Sequence, residues 1–258
     1  MVNIRKQWAI IIGGSQGLGL ATAKQLAADG YHLLILHRDF RNDLPLIQST
    51  FKSIEEQFAV RVLSYNKDAL KDDTIQNVFD KISNEQFDIK ILVHSLAKGN
   101  LKLLTGDNAL TSSDYKHTIN AMGVNFYEWS KALVDSNQYV PGTKLIAFTS
   151  EGNQKVSIGY GAVSAAKVTL EAIMRQMALE FAPLGITSNC IQAGVTLTHS
   201  FEKIPNADQI LKHTKKRNPF QRITKPEDVA KAVSLLVDDK ANWINGCIIP
   251  VDGGEHLR

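Results

Sequence analysis

The stretch Trp8-Ala9-Ile10-Ile11-Ile12-Gly13-Gly14-Ser15-Gln16-Gly17-Leu18-Gly19, followed by LATAKQLAADG through Gly30, decides the fold. Five apolar residues without a polar break suit a strand buried on both faces, as parallel sheets require. Glycines follow at once, and then apolar side chains recur at helical spacing. In a strand-loop-helix of this kind the helix N-terminus offers unpaired N–H groups to phosphate. Gly13 allows a tight turn, while Gly17 and Gly19 let backbone approach a pyrophosphate and let the helix pack on the strand. Ser15, Gln16 and Leu18 complete the loop, and a dinucleotide is the ligand class it suits.

The same alternation continues outward. Strands are expected at Trp8–Ile12, His32–Leu36, Arg61–Tyr65, Ile89–Val93, Leu145–Phe148, Thr187–Ile191 and Cys247–Val251. Helices are expected at Leu18–Ala28, Leu44–Phe58, Asp73–Ile82, Ser113–Leu133, Val163–Phe181 and Pro226–Leu236. The helical segments are long enough for right-handed crossovers on both faces of a sheet. The fold class is therefore α/β, a doubly wound (Rossmann) seven-stranded parallel sheet in a single domain over residues 1–258. Ligands of such sheets bind beyond the carboxyl ends of the strands.

Composition agrees with one globular core, at 44% hydrophobic and 21% charged residues, with no repeat or linker. A formal charge of +3, spread along the chain without a block of like charges, argues against nucleic acid as a partner. No apolar run approaches membrane-spanning length and the N-terminus lacks a cleavage-type segment, so a cytoplasmic protein without a membrane partner is expected. Cys190 and Cys247 fall in apolar strand-like runs, which predicts reduced, buried thiols rather than a disulfide or a metal site.

After the fifth strand the chain reads FTSEGNQKVSIGYGAVSAAKVTLEAI. Tyr160 precedes Lys167 by seven residues, about 700° of helix and roughly 20° short of two full turns, so the two can share a face if the helix starts early enough. Lys167 sits among alanines and apolar residues, and a lysine on such a face needs a partner.

Together these segments resemble the short-chain dehydrogenase/reductase family. The glycine spacing is Gly-x3-Gly-x-Gly, and the chain ends with Asn245-Gly246 and Val251-Asp252-Gly253-Gly254. Ile12 stands where relatives carry a threonine whose side chain steadies the loop, so that hydrogen bond must be replaced. Where the family usually has Tyr-x-x-x-Lys this chain has Val163, which cannot exchange a proton. Its Tyr-x6-Lys spacing is that of the enoyl-acyl-carrier-protein reductase branch. Val93-His94-Ser95-Leu96-Ala97 and Gln192-Ala193-Gly194-Val195 are similar to that branch too. Ser150, by contrast, stands at the usual serine position of ketone and alcohol members, and where some enoyl reductases carry a second tyrosine.

The resemblance implies that Tyr160, Lys167, Ser150 and Asn120 form the catalytic group, with Asn120 holding a helix irregularity near the lysine. It implies that Lys167 binds the nicotinamide ribose and Asp68, followed by Ala69, takes the adenine amino group. Ser95, Leu96, Ala97, Gly194, Val195, Thr196 and Thr198 would line the rest of the dinucleotide. His37 and Arg38 stand where an acidic residue would accept from the ribose 2′-hydroxyl, which favours NADPH over NADH because a guanidinium pairs with phosphate; Asp39 next door weighs the other way.

The function expected is reduction of the 2,3 double bond of an enoyl thioester, as in fatty acid or polyketide biosynthesis. The alternative is reduction of a 3-oxoacyl thioester or other carbonyl, with Tyr160 made more acidic by the nearby ammonium. A second alternative is a cofactor-binding scaffold without turnover. The resemblance also implies a homotetramer, with Met174, Met177 and Phe181 as candidate contacts. A substrate flap is expected at about 196–222, with Lys212, Lys215, Lys216 and Arg217 available to an acidic acyl carrier protein.

Overall fold

The computed structural model describes residues 7–198, 201 and 207–258. Seven parallel strands form one sheet: β1 (Gln7–Ile12), β2 (His32–His37), β3 (Val62–Asn66), β4 (Asp88–His94), β5 (Tyr139–Thr149), β6 (Thr187–Ala193) and β7 (Ile248–Val251). Their order is β3-β2-β1-β4-β5-β6-β7, so the winding reverses between β1 and β4. That reversal opens a crevice at the carboxyl edge, where ligands of doubly wound sheets bind.

Period-two alternation along β1 divides the core. Trp8, Ile10 and Ile12 face one layer with α3 (Asp72–Glu85), α5 (Asn125–Asp135) and α6 (Gly161–Glu180). Ala9 and Ile11 face the other, with α1 (Gly17–Ala28), α2 (Leu44–Phe58) and a later helix, Pro226–Val237. Burying each large aliphatic side chain of these layers contributes about 1.5–3 kcal/mol. Among the described residues no helix is long and apolar enough to cross a membrane.

Several sequence expectations need correction. The segment expected as one helix over Ser113–Leu133 is α4 (Ser112–Ile119), a five-residue π-helical turn at Asn120–Val124, and α5. Periodicity does not register one inserted residue, because the apolar face continues beyond it. Cys190 is buried, its thiol pushed up to about 12 by burial first and then by Glu171. Cys247 is exposed: β7 starts one residue later, at the edge of the sheet, and Asn189 Oδ1 accepts from the Cys247 backbone N–H at 3.0 Å. Met174 and Met177, offered as contacts between subunits, lie in the core of this chain, and Phe181 packs against that core.

At the amino edge β4 and β5 carry two buried lysines. Lys90 Nζ donates to Asp239 Oδ1 at 3.0 Å and Lys144 Nζ to Asn242 Oδ1 at 2.6 Å. Burial, and then the charge of Lys90, brings Lys144 down to about 8. These bonds hold the Asp239–Ala241 turn against the sheet, far along the strands from the crevice.

Candidate active site

The cofactor side is built from backbone. A Cβ on Gly19 would lie 2.0 Å from the carbonyl oxygen of Gly13, and one on Gly13, where φ is +86°, would lie 2.7 Å from that of Ser95. The loop is thus closed against the first turn of α1 and against the end of β4, at the point where the strand order reverses. The root of the loop is fixed by backbone bonds that continue the ladders of β1: Gly13 N–H and Gly14 N–H both donate to Leu36 O, at 2.8 and 3.2 Å, and Ser95 N–H donates to Ile12 O at 2.8 Å. Gln16 caps α1 without a side-chain hydrogen bond and no acidic residue lies in the first turn. Free N–H groups at a helix start with no carboxylate beside them fit a pyrophosphate.

The residues placed around adenosine pair with one another. His37 closes β2 rather than following it; it is buried, and Asp39 Oδ2 lies 2.8 Å from its Nδ1. Arg38 is largely exposed and donates to Asp68 Oδ2 at 2.8 Å. Asp39 is therefore held by His37 and by Asn66, whose Oδ1 accepts from the Asp39 N–H at 2.9 Å. The loop after β3 has anchors that the sequence reading missed: Ala69 O accepts from Asn125 Nδ2 at 2.9 Å and Trp129 Nε1 at 3.0 Å.

The proton-donor side is built from side chains. Ser150 follows β5, and its Oγ is 3.2 Å from Tyr160 Oη. Tyr160 precedes the first residue of α6 and accepts the helix's first hydrogen bond, from Ser164 N–H at 2.8 Å. A Cβ on Gly152 would lie 2.5 Å from the Tyr160 ring, so the loop backbone lies directly against the phenol. Burial pushes the Tyr160 phenol above its ordinary value, with the Ser150 hydrogen bond pulling the other way. The direction is the reverse of the expected acidification by a nearby ammonium: burial disfavours the charged phenolate, and only the Ser150 hydrogen bond opposes it.

Lys167 is buried and donates to Phe148 O at 2.6 Å. Burial brings it down to about 8, with Cys190 and Glu171 opposing. One turn further, Glu171 is buried and Oε1 accepts from Thr149 Oγ1 at 2.6 Å and Asn153 Nδ2 at 2.5 Å. Lys167 and Glu171 thus grip the end of β5 on either side of Ser150. The i, i+4 spacing that puts Glu171 on the Lys167 face was the available signal.

Val163, at the family's usual tyrosine position, packs in a small apolar cluster with Ala121, Met122 and Ala166. Asn120 begins the π turn and is half-buried. His94, at the end of β4, is buried and lowered to about 3 by burial and then by Lys167, so it stays neutral.

Gly194 follows β6, and Thr196 Oγ1 donates to the Gly194 carbonyl at 2.8 Å. Thr198 lies over the glycine loop, its methyl 3.4 Å from where a Cβ of Gly17 would be. Leu96 and Ala97 leave the end of β4 half-buried and exposed, respectively. Thr196 pairs with Thr224, and Thr224 N–H donates to Val195 O at 3.1 Å, so the intervening segment leaves and returns at one point. Within it α7 (Ala207–Arg217) is described, whereas positions 199–200 and 202–206 of the expected flap lie outside the described residues. Lys212, Lys215 and Lys216 are exposed. Arg217 departs from that patch: it is turned inward, bonded to Glu151 and Glu255.

A glycine cradle at a winding reversal, with a serine, tyrosine and lysine beyond the carboxyl edge, defines an NAD(P)-type oxidoreductase. The chain belongs to the short-chain dehydrogenase/reductases and within them to the enoyl-(acyl carrier protein) reductase family, whose model matches residues 13–256. It is 27% identical over 95% of its length to an NADPH-dependent aldehyde reductase-like protein of Arabidopsis thaliana, covering 93% of that protein. It is 26% identical to an NADPH enoyl-[acyl-carrier-protein] reductase of Staphylococcus aureus, covering 99% of both chains. An NADH form from Buchnera aphidicola is 28% identical, over 80% of this chain and 88% of that one. Among solved structures, a short-chain dehydrogenase of Burkholderia cenocepacia in complex with NADP superposes with a TM-score of 0.84 at 25% identity, over 98% of this chain and 99% of the other.

Proposed function

We propose that this protein reduces the 2,3 double bond of an enoyl thioester with NADPH. The observation that carries the reading is the hydroxyl pair of Ser150 and Tyr160, 3.2 Å apart beyond the end of β5, with the phenol seven residues before a buried Lys167. A bound nicotinamide supplies the hydride. The chain's own part is to meet the negative charge that then collects on the thioester oxygen: Tyr160 Oη donates to that oxygen, and Ser150 orients the phenol through their hydrogen bond. A phenol raised by burial stays protonated at neutral pH, which suits a donor. Lys167 orients the ribose and adds positive potential. A pairing of Tyr160 with Ser150, rather than with the core alone, speaks against a scaffold without turnover.

Carbonyl reduction remains the second reading, favoured by Ser150 at the position of ketone and alcohol members. NADPH is preferred over NADH on Arg38, which leaves Asp68 to meet a 2′-phosphate, while His37 and Asn66 hold Asp39. Thr196–Arg222 acts as the flap over substrate. The exposed Lys212, Lys215 and Lys216 receive an acidic carrier, an encounter that salt would weaken. A homotetramer forms through exposed side chains such as Tyr127 on α5 and Val168 on α6; a monomeric mass by light scattering would contradict it. The deciding assay sets an enoyl thioester beside a 3-oxoacyl thioester.

A further inference from the structure

One guanidinium ties the residue after Ser150 to two distant parts of the chain. Arg217 ends α7, with its side chain only 14% exposed. Its Nη2 donates to Glu151 Oε1, immediately after Ser150, and to Glu255 Oε1 at 2.6 Å. Glu255 lies in the turn Glu255–Leu257 near the chain end and is 1% exposed. Lys155 joins the cluster, 3.2 Å from Glu151 Oε2 and donating to the carbonyls of His256 and Arg258. Arg217 Nε and Glu255 Oε2 are buried without hydrogen-bond partners. A buried ion cluster with unsatisfied atoms is a poor way to gain stability, since apolar packing would do as well or better. Its placement suggests another use.

The loop after β5 has two kinds of anchor. Thr149 and Asn153 are held by Glu171 of α6, a helix fixed in the core. Glu151, between them, is held by α7, which lies inside the segment closed off by the Thr196–Thr224 bridge. Whatever moves α7 pulls on Glu151, and Ser150 is its covalent neighbour. We infer that Arg217 is a positioning residue that couples the docking of α7 to the Ser150–Tyr160 hydrogen bond, so that the proton donor is set only while the flap helix is seated. This rests on the reading of the Ser150–Tyr160 pair and the flap given above.

The test uses the full-length protein with Arg217→Met, Arg217→Lys and Ser150→Ala. Arg217→Met is expected to lower kcat about tenfold or more while KM for the cofactor stays within about twofold, because the interaction lost serves the donor and not the dinucleotide. Arg217→Lys should recover part of that loss. In the Ser150→Ala background, Arg217→Met should cost nothing further in kcat, since residues that act through one group are non-additive. Hydrogen exchange without substrate should show amides 151–154 and α7 losing protection together. A full additive loss in the Ser150→Ala background, or α7 loosening with 151–154 unchanged, would overturn the inference. If Arg217→Met fails to fold by circular dichroism, Glu151→Gln, which leaves Arg217 on Glu255, takes its place in the same cycle. If the wild-type protein turns over no thioester, the proposed function falls and the exchange result alone decides the coupling.

Discussion

The two walls of the crevice are made differently. The wall formed by the glycine loop is backbone held against backbone: the carbonyls of Gly13 and Ser95 leave no room for a Cβ on Gly19 or Gly13, and the carbonyls of Leu36 and Ile12 accept the hydrogen bonds that fix the turn. The wall formed by residues 148–160 is side chains held by side chains: Ser150 on Tyr160, Thr149 and Asn153 on Glu171, Glu151 on Arg217. The first kind of wall depends on shape and fails by steric conflict. The second depends on a few polar bonds between residues far apart in sequence, and it can be altered one bond at a time.

The largest effects should come from breaking each wall at its centre. Tyr160→Phe is expected to reduce kcat by about 10²–10⁴-fold, the usual contribution of a positioned proton donor, with cofactor affinity unchanged. Cofactor titration by nicotinamide fluorescence beside steady-state kinetics checks this, and wild-type turnover would remove Tyr160 from its role. Gly19→Ala should do the reverse, abolishing cofactor binding and lowering the thermal midpoint even without cofactor, because a methyl group cannot share space with Gly13 O. Retained binding by that variant would show that the loop relaxes freely.

A pH series sharpens the contrast next. Lys167 titrates at about 8, below an ordinary lysine, because burial disfavours its charge. Its cation is therefore present below about pH 8 and lost above it, so kcat/KM should fall as pH rises through that value. The stability sign is opposite: between about 8 and the ordinary lysine value the unfolded chain binds more protons at this site, so this lysine's contribution to folding stability grows with pH there. The glycine loop carries no such group, and cofactor affinity should change less over the same range. A flat kcat/KM profile from pH 7 to 9 would contradict the assignment.

How much of this the sequence disclosed follows the same division. The glycine wall was legible because Gly13, Gly17 and Gly19 are local in the chain, and the backbone beside Gly13 and Gly19 leaves no room for a Cβ. Tyr160 and Lys167 were legible from spacing, with Tyr160 ahead of its helix as expected and the helix beginning at Gly161 rather than at the expected Val163. The exposure of Cys247 and the inward turn of Arg217 were not legible, and the π turn at Asn120–Val124 was foreshadowed only by the resemblance that gives Asn120 a helix irregularity, not by periodicity. Each depends on a partner tens of residues away or on one inserted backbone residue, which periodicity does not register. Glu171 stood between the two cases, since its spacing from Lys167 was visible but its partners Thr149 and Asn153 were not.

A smaller effect belongs to the adenosine end. Arg38→Ala should lower kcat/KM with NADPH by about tenfold, the order of one charge-assisted bond to phosphate, and leave NADH nearly unaffected. Equal losses with both cofactors would mean that Arg38 serves only to hold Asp68.

The role proposed for the side-chain wall is to present a phenol to an enoyl thioester oxygen. It is tested most directly by following NADPH oxidation by the purified protein with a 2-enoyl thioester and, in parallel, a 3-oxoacyl thioester of the same chain length. Clear turnover of the enoyl substrate is expected, with much slower turnover of the oxoacyl one and loss of the enoyl activity in Tyr160→Phe. Turnover of the oxoacyl substrate alone, or enoyl turnover that survives Tyr160→Phe, would contradict it.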